Sequence, residues 1–181
     1  IALAQDRNRT VKERYALVLS LGEEIQEAVY QEDYNKIKEI VEKYERKDEI
    51  DEIVNKMKKE TLPYAKKQQI MLQYVEVYEP LEVINDSWVK LLSLMKSNLY
   101  AQKVTADQYE NAVKEFEESY EDFQLDFEQL LVYYIYRYFL KVVYDENLHS
   151  KMALAVVSFL MLRDCDTAWW LSKDRCFDKE D

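Results

Sequence analysis

Apolar positions recur with a helical period along most of this chain, and the breaks between stripes predict where each helix starts. Val11, Tyr15, Val18, Leu19 and Ile25 form the first stripe, running to about Tyr30. Thr10 with Glu13 makes the T-x-x-E capping box that opens it. Gly22 lies inside the stripe, which marks a weak point or a close approach. Asp33 caps a second helix bearing Ile37, Ile40, Val41 and Tyr44, and Asp48 opens a third bearing Ile50, Ile53, Val54 and Met57. A fourth follows Leu62 with Pro63 at its first position, where a missing N–H costs nothing. It carries Ile70, Met71, Tyr74, Val75 and Tyr78, and Pro80 stops or kinks it. The fifth runs from Asn85 or Asp86 to Tyr100. Thr105 and Gln108 cap the sixth, whose sparse apolar residues Tyr109, Val113, Phe116 and Tyr120 predict a surface helix entering the acidic EESYED stretch.

The pattern then changes. Segments 127–144 and 152–171 are apolar nearly all the way round, as buried helices are, and meet at the polar break DENLHSK, 145–151. They predict helices over about 122–144 and 150–171, packed as a central antiparallel hairpin. The expected fold is all-α: a bundle of about seven to eight helices around that hairpin, forming one domain over 1–181. The few polar residues in this region, Glu128, Tyr134, Arg137, Arg163, Asp164 and Asp166, are the candidate buried polar cluster. At about 100° per residue, the three charges of the last helix point three ways, so at least one is buried and paired. Arg137 is the expected partner of Asp164 or Asp166, as a pair that fixes the packing or as part of a binding or catalytic site.

Composition agrees with the helical reading. The 181 residues include 1 Gly and 2 Pro, and 48% are hydrophobic, so the chain has a core to bury. With 25 basic and 36 acidic residues the net charge is −11. That balance repels nucleic acid and anionic membrane and mildly favours a lysine-rich partner. Cys165 and Cys176 form no C-x-x-C pair and read as reduced thiols of a soluble cytoplasmic protein. The longest uncharged apolar run, Met152 to Leu162, is about half of the ~20 residues a membrane helix needs.

Several chemistries are excluded. Glu146-x-x-His149 has di-iron spacing, but such a site needs two of these pairs, and His149 is the only histidine. No metal site is expected. A single histidine also leaves no base for a Ser or Cys nucleophile. One glycine builds neither a P-loop nor a Rossmann turn, so no cofactor site is expected within this chain by motif. The 15 tyrosines, densest in YYIYRYF at 133–139, read as core packing with hydroxyls reaching a rim or a buried polar group, with a tyrosine-lined pocket as the alternative. Trp169 and Trp170 read as core anchors.

The block LLVYYIYRYFLKVVYDENLHSKMALAVVSFLMLRDCDTAWWL and the opening LAQDRNRTVKERYALVLSLGEEIQEAV resemble the flagellin lysine-N-methylase family, in its C-terminal helical region. The resemblance covers most of the chain but carries no catalytic signature, so the catalytic residues stay unassigned. It implies methyl transfer from S-adenosylmethionine to lysine side chains of flagellin. Full members also have an N-terminal cysteine-rich, metal-binding segment that nothing here matches. The expectation is therefore a fragment of a longer protein whose missing segment holds the metal and the methyl donor. This helical portion would support the active site or bind the protein substrate. The alternative is a non-enzymatic ligand- or partner-binding domain, with a pocket or homodimer face built from the tyrosines and tryptophans.

Overall fold

The computed structural model describes residues 1–59, 62–80, 85–120 and 122–176. Glu121 of the acidic stretch and the KED end of the chain lie outside them. Among the described residues the chain is all-α, with no strand and eight helices of ten residues or more. They are α1 (Val11–Tyr30), α2 (Tyr34–Lys43), α3 (Lys47–Lys59), α4 (Tyr64–Tyr78), α5 (Asp86–Asn98), α6 (Ala106–Ser119), α7 (Phe123–Phe139) and α9 (Leu148–Ser172). A 3-10 turn, Ala2–Gln5, precedes them, and a single turn, α8 (Val142–Asp145), lies between α7 and α9. No helix among the described residues is long and apolar enough to cross a membrane.

The helix starts follow from local chemistry. Thr10 Oγ1 accepts from the Glu13 amide at 3.2 Å while Glu13 Oε2 accepts from the Thr10 amide at 2.9 Å. Thr105 and Gln108 make the same reciprocal pair at the start of α6. Asp33 and Asn85 accept from the amides of Lys36 and Ser87. Each cap satisfies a donor that the first helical turn leaves open. Pro63 sits one place earlier than predicted, as the extended N-cap residue of α4.

The chain divides into two compact units, Ile1–Thr61 with Gln124–Phe159, and Leu62–Phe123 with Leu160–Asp181. The first unit is built on Leu17, Ala28, Ile40, Tyr44, Ile50 and Val54 from α1, α2 and α3. Within it α7 meets the first half of α9, where the Phe127 and Phe159 rings lie edge to face at 5.8 Å. Gly22 of α1 is a point of close approach. A Cβ there would lie 3.0 Å from Met152 Cγ on α9, so the missing side chain lets two helices approach. The second unit buries Met71, Val75, Leu92, Met95, Leu99, Val113, Phe116 and Trp170.

The segment 122–144 departs from expectation. Instead of one buried helix it forms α7, a turn, and the one-turn α8. No residue from 136 to 147 is buried, and Tyr136, Leu140, Val143 and Tyr144 are more than half exposed. Helix stability comes mostly from packing an apolar face, and beyond Ile135 this segment has no buried face to extend. The last helix behaves as its all-round apolar sequence predicts, with thirteen buried residues between Leu148 and Trp170 that alternate only with half-buried ones after Lys151.

Candidate functional site

The buried charges form two clusters, one in each unit. In the first, Glu128 on α7 accepts from Arg7 through Nε at 2.9 Å and Nη2 at 3.0 Å, and from Arg14 Nη1 at 3.1 Å. Arg14 is 1% exposed on α1. It also donates to the carbonyls of Arg9 and Ala4 and to the Gln124 side chain. The two guanidinium groups hold the Glu128 carboxyl below its ordinary range, with the Arg7 hydrogen bond the larger influence. Arg14 sits three residues after Val11 and four before Val18, on the same stripe. Its burial was therefore legible in the helical period, as the partner that Glu128 required.

The second cluster centres on Asp164, which is fully buried on α9. Its carboxylate accepts from Arg163 through Nε at 2.9 Å and Nη2 at 2.6 Å. It also accepts from Tyr109 at 3.0 Å and from Tyr100. Arg163 Nη2 donates to the Tyr109 hydroxyl at 2.7 Å, so that oxygen accepts from Arg163 and donates to Asp164. Burial, reinforced by the Asp164 charge, pushes both tyrosine hydroxyls well above their ordinary range. They stay protonated and act as donors. With its oxygens occupied by four donors, Asp164 has no free lone pair aimed outward and is poorly placed to act as a general base.

A row of tyrosines continues from this node. The Tyr109 ring lies 5.3 Å from Tyr64 on α4 and 5.8 Å from Tyr100, which follows α5. Tyr64 donates to the Leu99 carbonyl at 2.5 Å and Gln68 to the Tyr100 carbonyl at 2.7 Å, which seats α4 on the end of α5. Lys67, one turn after Tyr64, places its ammonium 4.2 Å from the centre of the Tyr109 ring. Glu117 on α6, one-third exposed, lies 3.9 Å from Arg163. Burial pushes its carboxyl up, while the Arg163 and Lys67 charges oppose that rise. Aromatic faces beside a carboxylate are chemistry suited to an ammonium group.

Of the sequence candidates, then, Glu128 belongs to the first cluster and Arg163 with Asp164 to the second. The expected Arg137 pair is not formed. Arg137 is exposed and donates to the Tyr133 hydroxyl at 3.0 Å, one turn back along its own helix. Tyr134 is half-buried, stacked on Tyr138 at 6.0 Å. Asp166 joins neither cluster, and burial pushes its carboxyl up to about 6. Sequence reasoning missed Tyr100, Tyr109, Lys67 and Glu117. Tyr109 heads the apolar stripe of α6, and its place beside the buried Val113 and Phe116 is the one signal the sequence carries for it. Trp170 is buried against Phe116. Trp169 is half-buried, with Lys90 and Lys173 at 4.7 and 4.9 Å from its ring.

Asp166 gives a pH prediction. Its folded value lies above the ordinary carboxylate value, so the fold favours the protonated form and loses stability as pH rises from about 4 to 6. Asp166→Asn should therefore stabilise the protein by about 1 to 3 kcal/mol at pH 7 and by almost nothing at pH 4. Thermal melts at both pH values check it, and an equal effect at both would show that Asp166 is solvated.

The polar break is held by Gln26 on α1. The Gln26 amide donates to the Glu146 carbonyl at 3.1 Å and accepts from the His149 amide at 3.2 Å. Glu146 takes a left-handed turn there, with φ 52°, and the His149 side chain is exposed. Among the described residues no group of three or more His, Cys, Asp or Glu could hold a metal ion, so the donors present do not fit one. The family model described as FliB lysine N-methylase C-terminal domain matches residues 1–181, the whole chain. Comparison with curated proteins and with solved structures gives no match.

Proposed function

The chain belongs to the FliB lysine N-methylase C-terminal domain family, and from that premise we propose that it is the substrate-engaging helical domain of a flagellin lysine N-methylase. The family match over every residue is the observation that carries this reading. Two features support it. The chain's net charge of −11 favours association with a lysine-bearing surface. The Tyr64, Tyr100 and Tyr109 row with Glu117 offers an ammonium group a seat. The saturated Asp164 and the protonated tyrosines suit holding and orienting a lysine better than they suit the chemical step. S-adenosylmethionine and any metal belong, in this reading, to a segment outside residues 1–181.

Methyl transfer to flagellin by the full-length protein should be lost when the region 1–181 is deleted, and the isolated chain should capture flagellin in a salt-sensitive way. Full activity of the deleted protein would overturn the reading. A second reading, a non-enzymatic partner-binding domain, draws on the exposed Tyr133, Tyr136 and Tyr144 of α7 and α8. It predicts capture of a partner with no dependence on lysine.

A further inference from the structure

The contact between Lys67 and Tyr109 has more parts than a surface cation resting on a ring. Tyr109 is 2% exposed, and its hydroxyl is fixed by both Arg163 and Asp164. Its face is therefore held rigidly. The rings of Tyr64 and Tyr100 both pack against it, at 5.3 and 5.8 Å, and both are tied in turn, Tyr64 through the Leu99 carbonyl and Tyr100 through Asp164. The carboxylate of Glu117 lies within electrostatic reach of Lys67. Aromatic faces attract a cation, and most strongly where water is partly excluded. A preorganised aromatic wall with an acidic rim is what a primary or methylated ammonium group requires, and it needs no rearrangement to receive one.

Lys67 and Tyr64 are both half-buried, so the seat opens towards solvent on the α4 side. The lysine stem comes from the same helix turn as Tyr64, which makes Lys67 an occupant that the fold itself supplies. We propose that Lys67 is the internal occupant of a lysine-recognition site formed by Tyr64, Tyr100, Tyr109 and Glu117, and that an incoming lysine side chain binds by displacing it. Lys67 then sets the affinity. A ligand must compete with a tethered copy of its own ammonium group, so weak ligands are refused and a lysine held by further contacts is accepted. This deepens the substrate-engaging reading and rests on it only for the identity of the natural ligand.

The test uses the 181-residue chain with Nα-acetyl-lysine amide, its Nε-trimethyl form, and the uncharged norleucine analogue, followed by calorimetry. Lys67→Ala should bind both charged probes about tenfold more tightly than the wild type. Lys67→Met, which keeps the stem over Tyr109, should show no such gain. Adding Glu117→Gln to Lys67→Ala should remove several-fold of it. Equal affinity of wild type and Lys67→Ala for the charged probes overturns the proposal. So does an equal gain for norleucine, which would mean that only an apolar void had been opened. Should Lys67→Ala melt before it can be titrated, the wild type is read directly by NMR. Tens of millimolar lysine amide, but not norleucine amide, must then shift the Tyr109 and Lys67 signals, and unmoved signals overturn the site. Flagellin captured equally by wild type and Lys67→Ala refutes the site and leaves the domain's substrate role standing. A gain for lysine amide without flagellin capture supports the site and refutes that role.

Discussion

Asp164→Ala is expected to cost about 3–5 kcal/mol, because it strands a buried guanidinium and removes the acceptor of two buried tyrosine hydroxyls. Arg163, Tyr100 and Tyr109 are each at most 4% exposed, so none can recover its bond from water without opening the fold. Glu117, 3.9 Å from Arg163, can take over part of the charge, which argues for the lower end of the range. Asp164→Asn keeps one acceptor oxygen and should fall between the wild type and the alanine variant. Arg137→Ala serves as the control. Its partner is an exposed tyrosine on its own helix, so the change should stay within about 1 kcal/mol. All three tryptophans, Trp88, Trp169 and Trp170, lie in the second unit with Asp164. Urea unfolding followed by their fluorescence therefore reads this cluster directly. A midpoint for Asp164→Ala close to wild type, at unchanged slope, would mean that the network contributes nothing.

That contrast between Asp164 and Arg137 shows what the sequence could and could not reveal. The caps at Thr10, Asp33, Asn85 and Thr105 were legible because a cap is a bargain among four adjacent residues. The all-α class was legible because one glycine, two prolines and sustained helical stripes leave little alternative. Pairing across helices is different, since it depends on which faces meet. Adjacent positions on a helix diverge by about 100°, so neighbours seldom face each other, and spacing alone does not mark Arg163 as the partner of Asp164. The structure joins them because the long Arg163 side chain folds back to a carboxylate that two tyrosines from elsewhere already hold.

The same limit explains α7. Its tyrosines count as apolar by composition, which favours burial over a pocket or dimer face. A tyrosine satisfies its hydroxyl equally well in water, so a run of them does not reveal which face is covered. Residues Tyr133 and Tyr136 are more than half exposed, whereas Leu131 and Ile135, two residues away or fewer, are buried. Leu131 and Ile135 continue the covered face that Phe127 occupies one turn earlier, and the tyrosines between them do not. The ammonium seat was hidden for a further reason. Its four walls come from two helices, α4 and α6, and from the end of α5, so no one stretch of sequence displays them together.

Glu128→Ala is expected to destabilise the first unit by about 3–5 kcal/mol, since it leaves the buried Arg14 charge without its carboxylate. Arg7 is largely solvent-exposed and can return to water, so the loss comes through Arg14. The carbonyls of Ala4 and Arg9 and the Gln124 side chain remain as neutral acceptors, but they do not balance the charge. Glu128→Gln preserves the shape and should cost less, about 1–3 kcal/mol. The ion pair also sets a pH window. The folded carboxyl titrates below its ordinary value, so its stabilisation is complete above the unfolded value of about 4.3 and is lost as pH falls through the lower folded value. The gap between wild type and Glu128→Gln should therefore be constant from pH 7 to about 5 and should narrow steadily towards pH 2–3. Far-ultraviolet dichroism, which sees the helices of both units, is the appropriate probe, because no tryptophan lies in the first. A gap that stays constant down to pH 3 would show that Glu128 is not held ionised by Arg7 and Arg14, and the anchoring of the amino-terminal turn to α7 would then need another source.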